Sequence, residues 1–125
     1  LGLANRVPLL GERGDLADLW PHLSALVHAA DAEPFGRVIA EAQLAGVPVV
    51  AFADGGVPEL IEDGVDGLLA APGDEAALAR AADRLLSDPA LAERLASRAA
   101  ARARAAYAPG AHAAALAGVF RDLAV

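Results

Sequence analysis

In the first half of the chain, short apolar runs alternate with segments whose apolar residues recur at the spacing of a helix face. The apolar runs predict four strands, at 5–11, 24–29, 47–53 and 67–70. The segments between them predict three short helices, at 15–20, 35–46 and 58–62. This alternation is typical of a parallel β-sheet with helices on both faces, so we predict an α/β fold.

Local signals strengthen three of these elements. Asp15 is expected to cap the helix 15–20. The helix predicted over 35–46 ends at Gly46, and a glycine at this position is typical of a helix stop. The run 47–53 has no polar position, and this indicates a strand that is buried on both faces.

The second half of the chain predicts three consecutive helices. The first follows its capping residue Asp74, and the second has Asp88 as its cap and Pro89 at its first position. The third begins at Pro109 and runs to the end of the chain. The apolar stripe of the first helix is predicted to contain Leu78, Ala81, Ala82, Leu85 and Leu86.

The predicted organisation is one partial domain over residues 1–125. Strands and helices alternate in 1–70, and 74–125 holds helices alone. Three or four strands are fewer than the roughly five or six of a common sheet, and the first residue, Leu1, is not Met. We therefore expect a piece of a longer protein, with the missing strands upstream and an open sheet edge that could pair with a second copy.

Composition and charge exclude several classes of function. The formal net charge of -7 argues against general nucleic-acid binding, but not against a small anion held by backbone amides. Cysteine is absent, and His22 and His112 have no partners at metal-ligand spacing, so we predict neither a disulfide nor a metal site. No apolar run approaches the roughly 18 residues of a membrane span.

The stretch 33–46 carries chemistry that indicates a ligand. The amides of Phe35–Val38 have no acceptor within the predicted helix, and the helix dipole adds to their attraction for an anion. Glu33 precedes this turn, and Glu41 lies about 7–8 Å further along the helix axis. Because carboxylates accept hydrogen bonds from vicinal hydroxyls, the stretch predicts hydroxyl, phosphate and hydroxyl sites in a row, as a nucleotide sugar requires.

A longer motif carries a family resemblance. The segment EPFGRVIAEAQLAGVPVVAFADGGVPELIEDGVDGLL contains Glu-x7-Glu, a Gly-x-Pro-Val-Val strand and a Gly-Gly-x-x-Glu loop. It resembles the signature of family 4 retaining glycosyltransferases of the GT-B fold, and the segments before and after it resemble the same enzymes. The resemblance implies the Rossmann-like, C-terminal half of a GT-B fold, which binds a nucleotide-sugar donor. The parent protein would transfer a hexose to an acceptor.

The resemblance assigns donor contacts to eight residues: Glu33, Phe35, Gly36, Arg37, Val38, Glu41, Gly55 and Gly56. Glu33 would contact sugar hydroxyls near the reacting carbon, and it is the one residue assigned to catalysis, through positioning of the sugar. The backbone of Phe35–Arg37 would contact sugar and phosphate, the Val38 amide would hold the diphosphate, and Glu41 would hold the ribose. The Gly-Gly loop would border this pocket. No cofactor is implied beyond the donor substrate.

The chain also departs from the family pattern. Ala29 and Ala30 stand where the family often has Pro-Ser, so a hydroxyl and some turn rigidity are missing near Glu33. The basic residues that clamp the diphosphate and the acceptor-binding N-terminal domain lie upstream in the family, so we expect the isolated chain to be inactive. Tyr107 and Phe120 would pack on that domain, and their exposure in the isolated chain could promote a homodimer. The resemblance implies that the parent protein is cytoplasmic. Whether it binds to the inner face of the membrane stays open.

Simpler interpretations stay open at this point. Glu33 could stabilise only the helix dipole, Glu41 could be a solvated helix residue, and the Gly55-Gly56 pair could be only a turn. Glu59 is interpreted as a residue that caps or pairs locally, His28 as a packed or pocket-rim histidine, and Arg13 as a solvated residue. A ligand contact by Glu59, a role of His28 as catalytic base and a phosphate contact by Arg13 stay open as alternatives. For the whole protein, the alternatives are a sugar-nucleotide epimerase of GT-B architecture and a self-associating module without a ligand.

Overall fold

The computed structural model describes residues 2–3 and 5–123. Its helices and strands, in chain order, are α1 Leu16–Leu19, β1 Leu26–His28, α2 Arg37–Ala45, β2 Val49–Phe52, α3 Val57–Leu60, β3 Leu68–Ala70, α4 Glu75–Ser87, α5 Pro89–Ala106 and α6 Pro109–Leu123. A short 3₁₀ helix, Trp20–His22, continues α1. From α1 to β3, helices and strands alternate, and helices alone follow, as predicted for this part of the chain.

The three described strands form one parallel sheet with β2 in the centre. Leu26 of β1 pairs with Val49, and Val50 of β2 pairs with Leu68. All four residues of β2 are buried, because both of its edges are paired and both of its faces are covered. The uninterrupted apolar sequence of β2 is what a central parallel strand requires.

Each face of the sheet has its own hydrophobic core, and β2 contributes to both. Val49 and Ala51 belong to the core under α2 and α3, while Val50 and Phe52 belong to the core under α4 and α5. Successive residues of a strand point to opposite faces, so one short strand serves both cores. Other members of the first core are Trp20, Ile39, Ala42, Val47, Val57, Leu60 and Ile61, and those of the second are Leu68, Ala70, Leu78, Leu85, Leu91 and Leu95. Each large side chain buried there stabilises the fold by about 1.5–3 kcal/mol.

Three of the predicted capping residues, Gly46, Asp74 and Asp88, end or begin their helices as predicted. Gly46 follows α2 with a φ of 76°, and its amide donates back into the last turn. This left-handed conformation costs a residue with a side chain about 1 kcal/mol or more, whereas glycine adopts it freely. The carboxylates of Asp74 and Asp88 each accept a hydrogen bond from the amide three residues further on, at 2.8 and 3.0 Å.

One arginine ties α5 to the segment that follows α3. Arg102 donates from Nη1 to the buried carboxylate of Asp66 at 2.6 Å and from Nη2 to the carbonyl oxygen of Glu59 at 2.8 Å. The hydrogen bond to Asp66 raises the pKa of Arg102. The other Asp66 oxygen accepts from the amide of Glu62. Since a buried carboxylate without partners would be strongly unfavourable, these contacts fix α5 relative to α3.

The first predicted strand is wrong. Residues 5–11 form no strand, because the amides of Arg6 and Val7 both donate to the carbonyl oxygen of Leu3 in a turn. Leu9 is 95% exposed. An apolar run predicts burial but does not by itself distinguish a strand from another element. Here no other described residues cover the run 5–11.

Two helix details also differ from the prediction. Leu86 is 62% exposed, so the buried stripe of α4 ends at Leu85, which faces the sheet together with Leu78. Asp15 lies at the N-cap position of α1, but its carboxylate bonds to Arg13 and not to a helix amide. A guanidinium is the stronger partner for an exposed carboxylate, which explains the missing cap bond.

The last helix leaves apolar side chains uncovered. Phe120 is 68% exposed and Tyr107, between α5 and α6, is 37% exposed, as predicted for these two residues. Residues 124–125, which the third predicted helix included, and the side chain of His112 lie outside the described residues. Over the part of the chain that is described, no helix combines the length and the apolar character that crossing a membrane requires.

Candidate functional site

Two loops meet at the carboxyl-terminal edge of the sheet. The first, residues 29–36, joins β1 to α2, and the second, residues 53–56, joins β2 to α3. The amide of Gly56 donates to the carbonyl oxygen of Glu33 at 2.8 Å, so the loops are in direct contact. This is the edge at which open α/β sheets bind their ligands. The structure therefore brings together the site residues that the sequence placed before α2 and before α3.

The Gly55-Gly56 pair is required by this contact. A Cβ atom on Gly55 would lie 2.2 Å from the carbonyl oxygen of Glu33, and one on Gly56 would lie 2.6 Å from that of Pro34. Gly55 also has a φ of 56°, in the left-handed region. No side chain fits at either position, so the pair allows the second loop to lie directly against the first.

Asp54 holds both loops, a role that the sequence interpretation missed. Its Oδ2 accepts a hydrogen bond from the amide of Ala32 at 2.7 Å, and its Oδ1 accepts from the amide of Gly55 at 2.8 Å. Ala32 has a φ of 51°, a conformation that costs a non-glycine residue on the order of 1–3 kcal/mol. The available signal was a carboxylate between a buried strand and two glycines, where Asp commonly bonds to backbone amides.

The carboxylate of Glu33 folds back onto the start of α2. Its Oε1 accepts hydrogen bonds from the amide of Gly36 at 2.8 Å and from that of Phe35 at 3.3 Å. These bonds, first the one from Gly36, lower the pKa of Glu33. Gly36 precedes the first residue of α2 with a φ of 86°. Glu33 thus accepts hydrogen bonds from two of the four amides that the sequence assigned to an anion. In this structure it is a carboxylate that caps α2, which was one of its two interpretations.

The amides of Arg37 and Val38 are the two that remain for a ligand. Among the described residues neither has a hydrogen-bond acceptor, whereas Ile39 and Ala40 both donate to the carbonyl oxygen of Gly36. Arg37 and Val38 head a helix of nine residues, so the helix dipole adds positive potential at the same point. This arrangement can bind an anion such as phosphate.

Glu41 lies one helical turn after Arg37. Its Oε1 is 3.8 Å from Nη2 of Arg37, whose side chain is 86% exposed. A surface pair of this kind contributes only a few tenths of a kcal/mol. The Glu41 carboxylate therefore retains acceptor positions for hydroxyl groups.

His28 lies beside Glu33 at the end of β1. Its Nε2 is 3.3 Å from Oε2 of Glu33, and its side chain is mostly buried. The prediction that His28 is a packed histidine at the rim of the site agrees with this position. Its contact with the carboxylate was not foreseen, because the pattern of the strand does not show where the next loop folds back.

Other candidate features lie apart from this cluster. Arg13 is paired with Asp15 in the exposed segment before α1. Glu59 accepts from Arg102 at its carbonyl oxygen, and its amide donates to the carbonyl oxygen of Gly56 at 3.1 Å in the first turn of α3. Among the described residues, its carboxylate makes no hydrogen bond to the two loops. A cavity of about 500 Å³ lies at the opposite, amino-terminal edge of the sheet, next to Pro48. Within the described part of the chain, no three His, Asp or Glu residues are grouped as metal ligands would be.

The lowered pKa of Glu33 predicts a pH-dependent contribution to stability. The contribution is complete above the ordinary carboxyl pKa of 4.5 and is lost as the pH falls through the lower pKa of the folded state. We expect Glu33→Gln to lower the free energy of unfolding at neutral pH and to make little difference in strong acid. Urea unfolding of both proteins across this range measures the effect, and a difference independent of pH would contradict the hydrogen bonds described above.

Comparison with known proteins decides the family. The family described as "Glycosyl transferases group 1" matches residues 1–102. The chain belongs to the group 1 glycosyltransferases. The matched residues include the whole sheet, both loops and most of α5, so the candidate site of this group 1 glycosyltransferase chain lies entirely within the family's pattern.

Curated relatives of this group 1 glycosyltransferase chain are much longer proteins. The chain is 43% identical over 107 residues to the D-inositol 3-phosphate glycosyltransferase of Streptomyces griseus, a match that covers 83% of this chain and 22% of the relative. It is 34% identical over 99 residues to the N-acetyl-alpha-D-glucosaminyl L-malate synthase of Bacillus anthracis, covering 79% of this chain and 26% of the relative. The chain thus spans about a quarter of the length of these relatives.

Solved structures confirm the fold of the group 1 glycosyltransferase chain. Anabaena HepE, crystallised in complex with UDP-glucose, is 44% identical with a TM-score of 0.78, over 83% of this chain and 29% of its own. Sucrose-phosphate synthase from Thermosynechococcus elongatus is 35% identical with a TM-score of 0.86, over 97% of this chain and 31% of its own. The predicted class, a Rossmann-like α/β domain of a GT-B glycosyltransferase, is confirmed.

Proposed function

We propose that this chain is the donor-binding part of a retaining glycosyltransferase, which transfers a hexose from a nucleoside diphosphate sugar to an acceptor. The observation that carries the proposal is the pair of amides without acceptors at Arg37 and Val38, flanked by the carboxylates of Glu33 and Glu41. Family membership and the crystallisation of HepE with UDP-glucose support it. An anion site between two acceptors of hydroxyl groups matches the order of groups in such a donor.

The diphosphate of the donor would bind at the head of α2. Its oxygens would accept hydrogen bonds from the amides of Arg37 and Val38, and each such bond to a charged group is worth about 1.5–3 kcal/mol. The exposed guanidinium of Arg37 is able to approach the same phosphates. Negative charge grows on the diphosphate as the bond to the sugar breaks, so these groups would also stabilise the transition state.

The hexose would lie between the two loops, within reach of Glu33. Oε1 of Glu33 is bonded to amides, while Oε2 has no hydrogen bond among the described residues and can accept one from a sugar hydroxyl. The backbone of Phe35–Arg37 and the Gly55-Gly56 loop would border the sugar. A carboxylate held there orients the hydroxyls and stabilises positive charge that develops at the reacting carbon, so Glu33 would position the sugar.

The comparisons do not favour the alternative of a sugar-nucleotide epimerase, because the relatives described above are named as glycosyltransferases and synthases. The parent would be a cytoplasmic protein with an acceptor-binding N-terminal domain, which would select the acceptor. The isolated chain would be inactive and would form a homodimer through the open edge of β1 or through the apolar patch of Tyr107 and Phe120.

Replacing Glu41 by alanine in the full-length protein tests the ribose contact. We expect the affinity for UDP to fall by about 1–3 kcal/mol, or roughly 5- to 150-fold, because hydrogen bonds to a charged group are lost. Isothermal titration calorimetry measures this change. Glu93→Ala is the matched control, since Glu93 is an exposed glutamate in the second turn of α5. A Glu41→Ala protein that binds UDP as tightly as the unmodified one would rule out the ribose assignment.

A further inference from the structure

His28 carries a buried polar atom that the packing of the fold does not explain. Its Nε2 is buried and has no hydrogen-bond partner among the described residues. The side chain is 12% exposed and belongs to the last residue of β1. A buried nitrogen without a partner costs about 1–3 kcal/mol, and such atoms are rare in folded proteins, so its surroundings need an explanation.

The group that Nε2 faces is the carboxylate of Glu33. Nε2 lies 3.3 Å from Oε2, although the two atoms are not aligned as a hydrogen bond. An ionised carboxylate is an acceptor only, so the imidazole can pair with it only by presenting an N–H at Nε2. Oε1 is held by the amides of Gly36 and Phe35, so Oε2 is the carboxylate oxygen that remains for that N–H.

The sheet gives His28 a fixed position that Glu33 does not have. His28 pairs with Ala51 of the central strand in parallel register, whereas Glu33 lies in the loop that follows β1. A side chain anchored in the sheet can restrict a loop side chain that touches it. The imidazole therefore limits the directions in which Oε2 of Glu33 can face.

We propose that His28 is a positioning residue for Glu33, and that its Nε2–H holds Oε2 in the orientation that receives a hydroxyl of the donor sugar. This role rests on the donor-binding function proposed above. It concerns the sugar and not the nucleotide, because the amides of Arg37 and Val38 and the carboxylate of Glu41 lie beyond Glu33 along α2. Loss of the imidazole N–H should therefore weaken the binding of a sugar nucleotide and leave the binding of the nucleotide alone nearly unchanged.

Isothermal titration calorimetry of the full-length protein with UDP-glucose and with UDP tests this role. His28→Leu removes the N–H and keeps a side chain of similar size, and we expect about tenfold weaker UDP-glucose binding with less than about twofold change for UDP. His28→Gln places an amide N–H near the position of Nε2, and we expect it to bind UDP-glucose within about threefold of the unmodified protein. His22→Leu is the control, since His22 is an exposed histidine before β1.

Each outcome separates the role of His28 from the proposed function. Equal binding of UDP-glucose by His28→Leu and the unmodified protein, equal weakening of both ligands, or no recovery in His28→Gln would overturn the positioning role. Failure of the unmodified protein to bind UDP and UDP-glucose would overturn the donor-binding function itself. If His28→Leu does not fold, His28→Asn replaces it, because its shorter amide does not reach Glu33 and the same loss is expected.

Discussion

Replacing Glu33 by glutamine is expected to lower the rate of hexose transfer by about 10²–10³-fold, the scale of losing one preorganised electrostatic contact at a reacting centre. Glutamine keeps a carbonyl oxygen that can accept from the Gly36 amide, so the loop should keep its shape. It removes the negative charge that the proposed site places near the reacting carbon. The affinity for UDP should change by less than about threefold, because the nucleotide would be held by the start of α2 and by Glu41.

The rate is measured as UDP released from UDP-glucose by the full-length protein in the presence of its acceptor. Glu75→Gln is the control, since Glu75 is an exposed carboxylate in the first turn of α4 and should not affect the rate. A Glu33→Gln protein that retains a rate within about tenfold would contradict a position near the reacting carbon. Glu33 of the unmodified protein would then have only the helix-capping role seen in the structure.

Gly55→Ala is expected to lower the free energy of unfolding by about 3 kcal/mol or more. The added Cβ atom would lie 2.2 Å from the carbonyl oxygen of Glu33, which is backbone and cannot move without displacing the loop 29–36. The φ of 56° at Gly55 adds a conformational cost for any residue with a side chain. Since the same displacement would move Glu33, the affinity for UDP-glucose should fall together with stability.

Gly64→Ala separates the steric cost from the conformational one. Gly64 has a φ of 72°, but a Cβ atom there would meet no atom within 4 Å. Only the conformational cost of about 1–2 kcal/mol is therefore expected. Denaturant unfolding of both variants gives the difference, and equal losses of stability would mean that the contact between the two loops is looser than the structure indicates.

The elements predicted correctly from the sequence are those whose signals are local. The apolar run of β2 requires burial on both faces, and Gly46 has no side chain to oppose the left-handed turn that ends α2. Asp74 and Asp88 bond to amides only three residues away, so their capping roles follow from the chain itself. The positions of Glu33 before α2 and of Glu41 within it follow from the same local signals, whereas their roles as ligand contacts stay predictions.

The features that were missed depend on contacts between distant parts of the chain. Asp54 bonds to an amide 22 residues earlier, and the requirement for Gly55 arises from the backbone of Glu33. Neither contact follows from periodicity or spacing. The run 5–11 has the apolar pattern of a strand but is exposed, because such a pattern does not identify the surface that covers it. The capping of α2 by Glu33 was visible only as one of two interpretations.

A crystal structure of the full-length protein with UDP-glucose tests donor binding most directly. We expect phosphate oxygens about 3 Å from the amide nitrogens of Arg37 and Val38, ribose hydroxyls on the carboxylate of Glu41, and the hexose beside Glu33. A nucleotide bound at another edge of the sheet, or at this edge with both amides still without an acceptor, would contradict the proposed donor site.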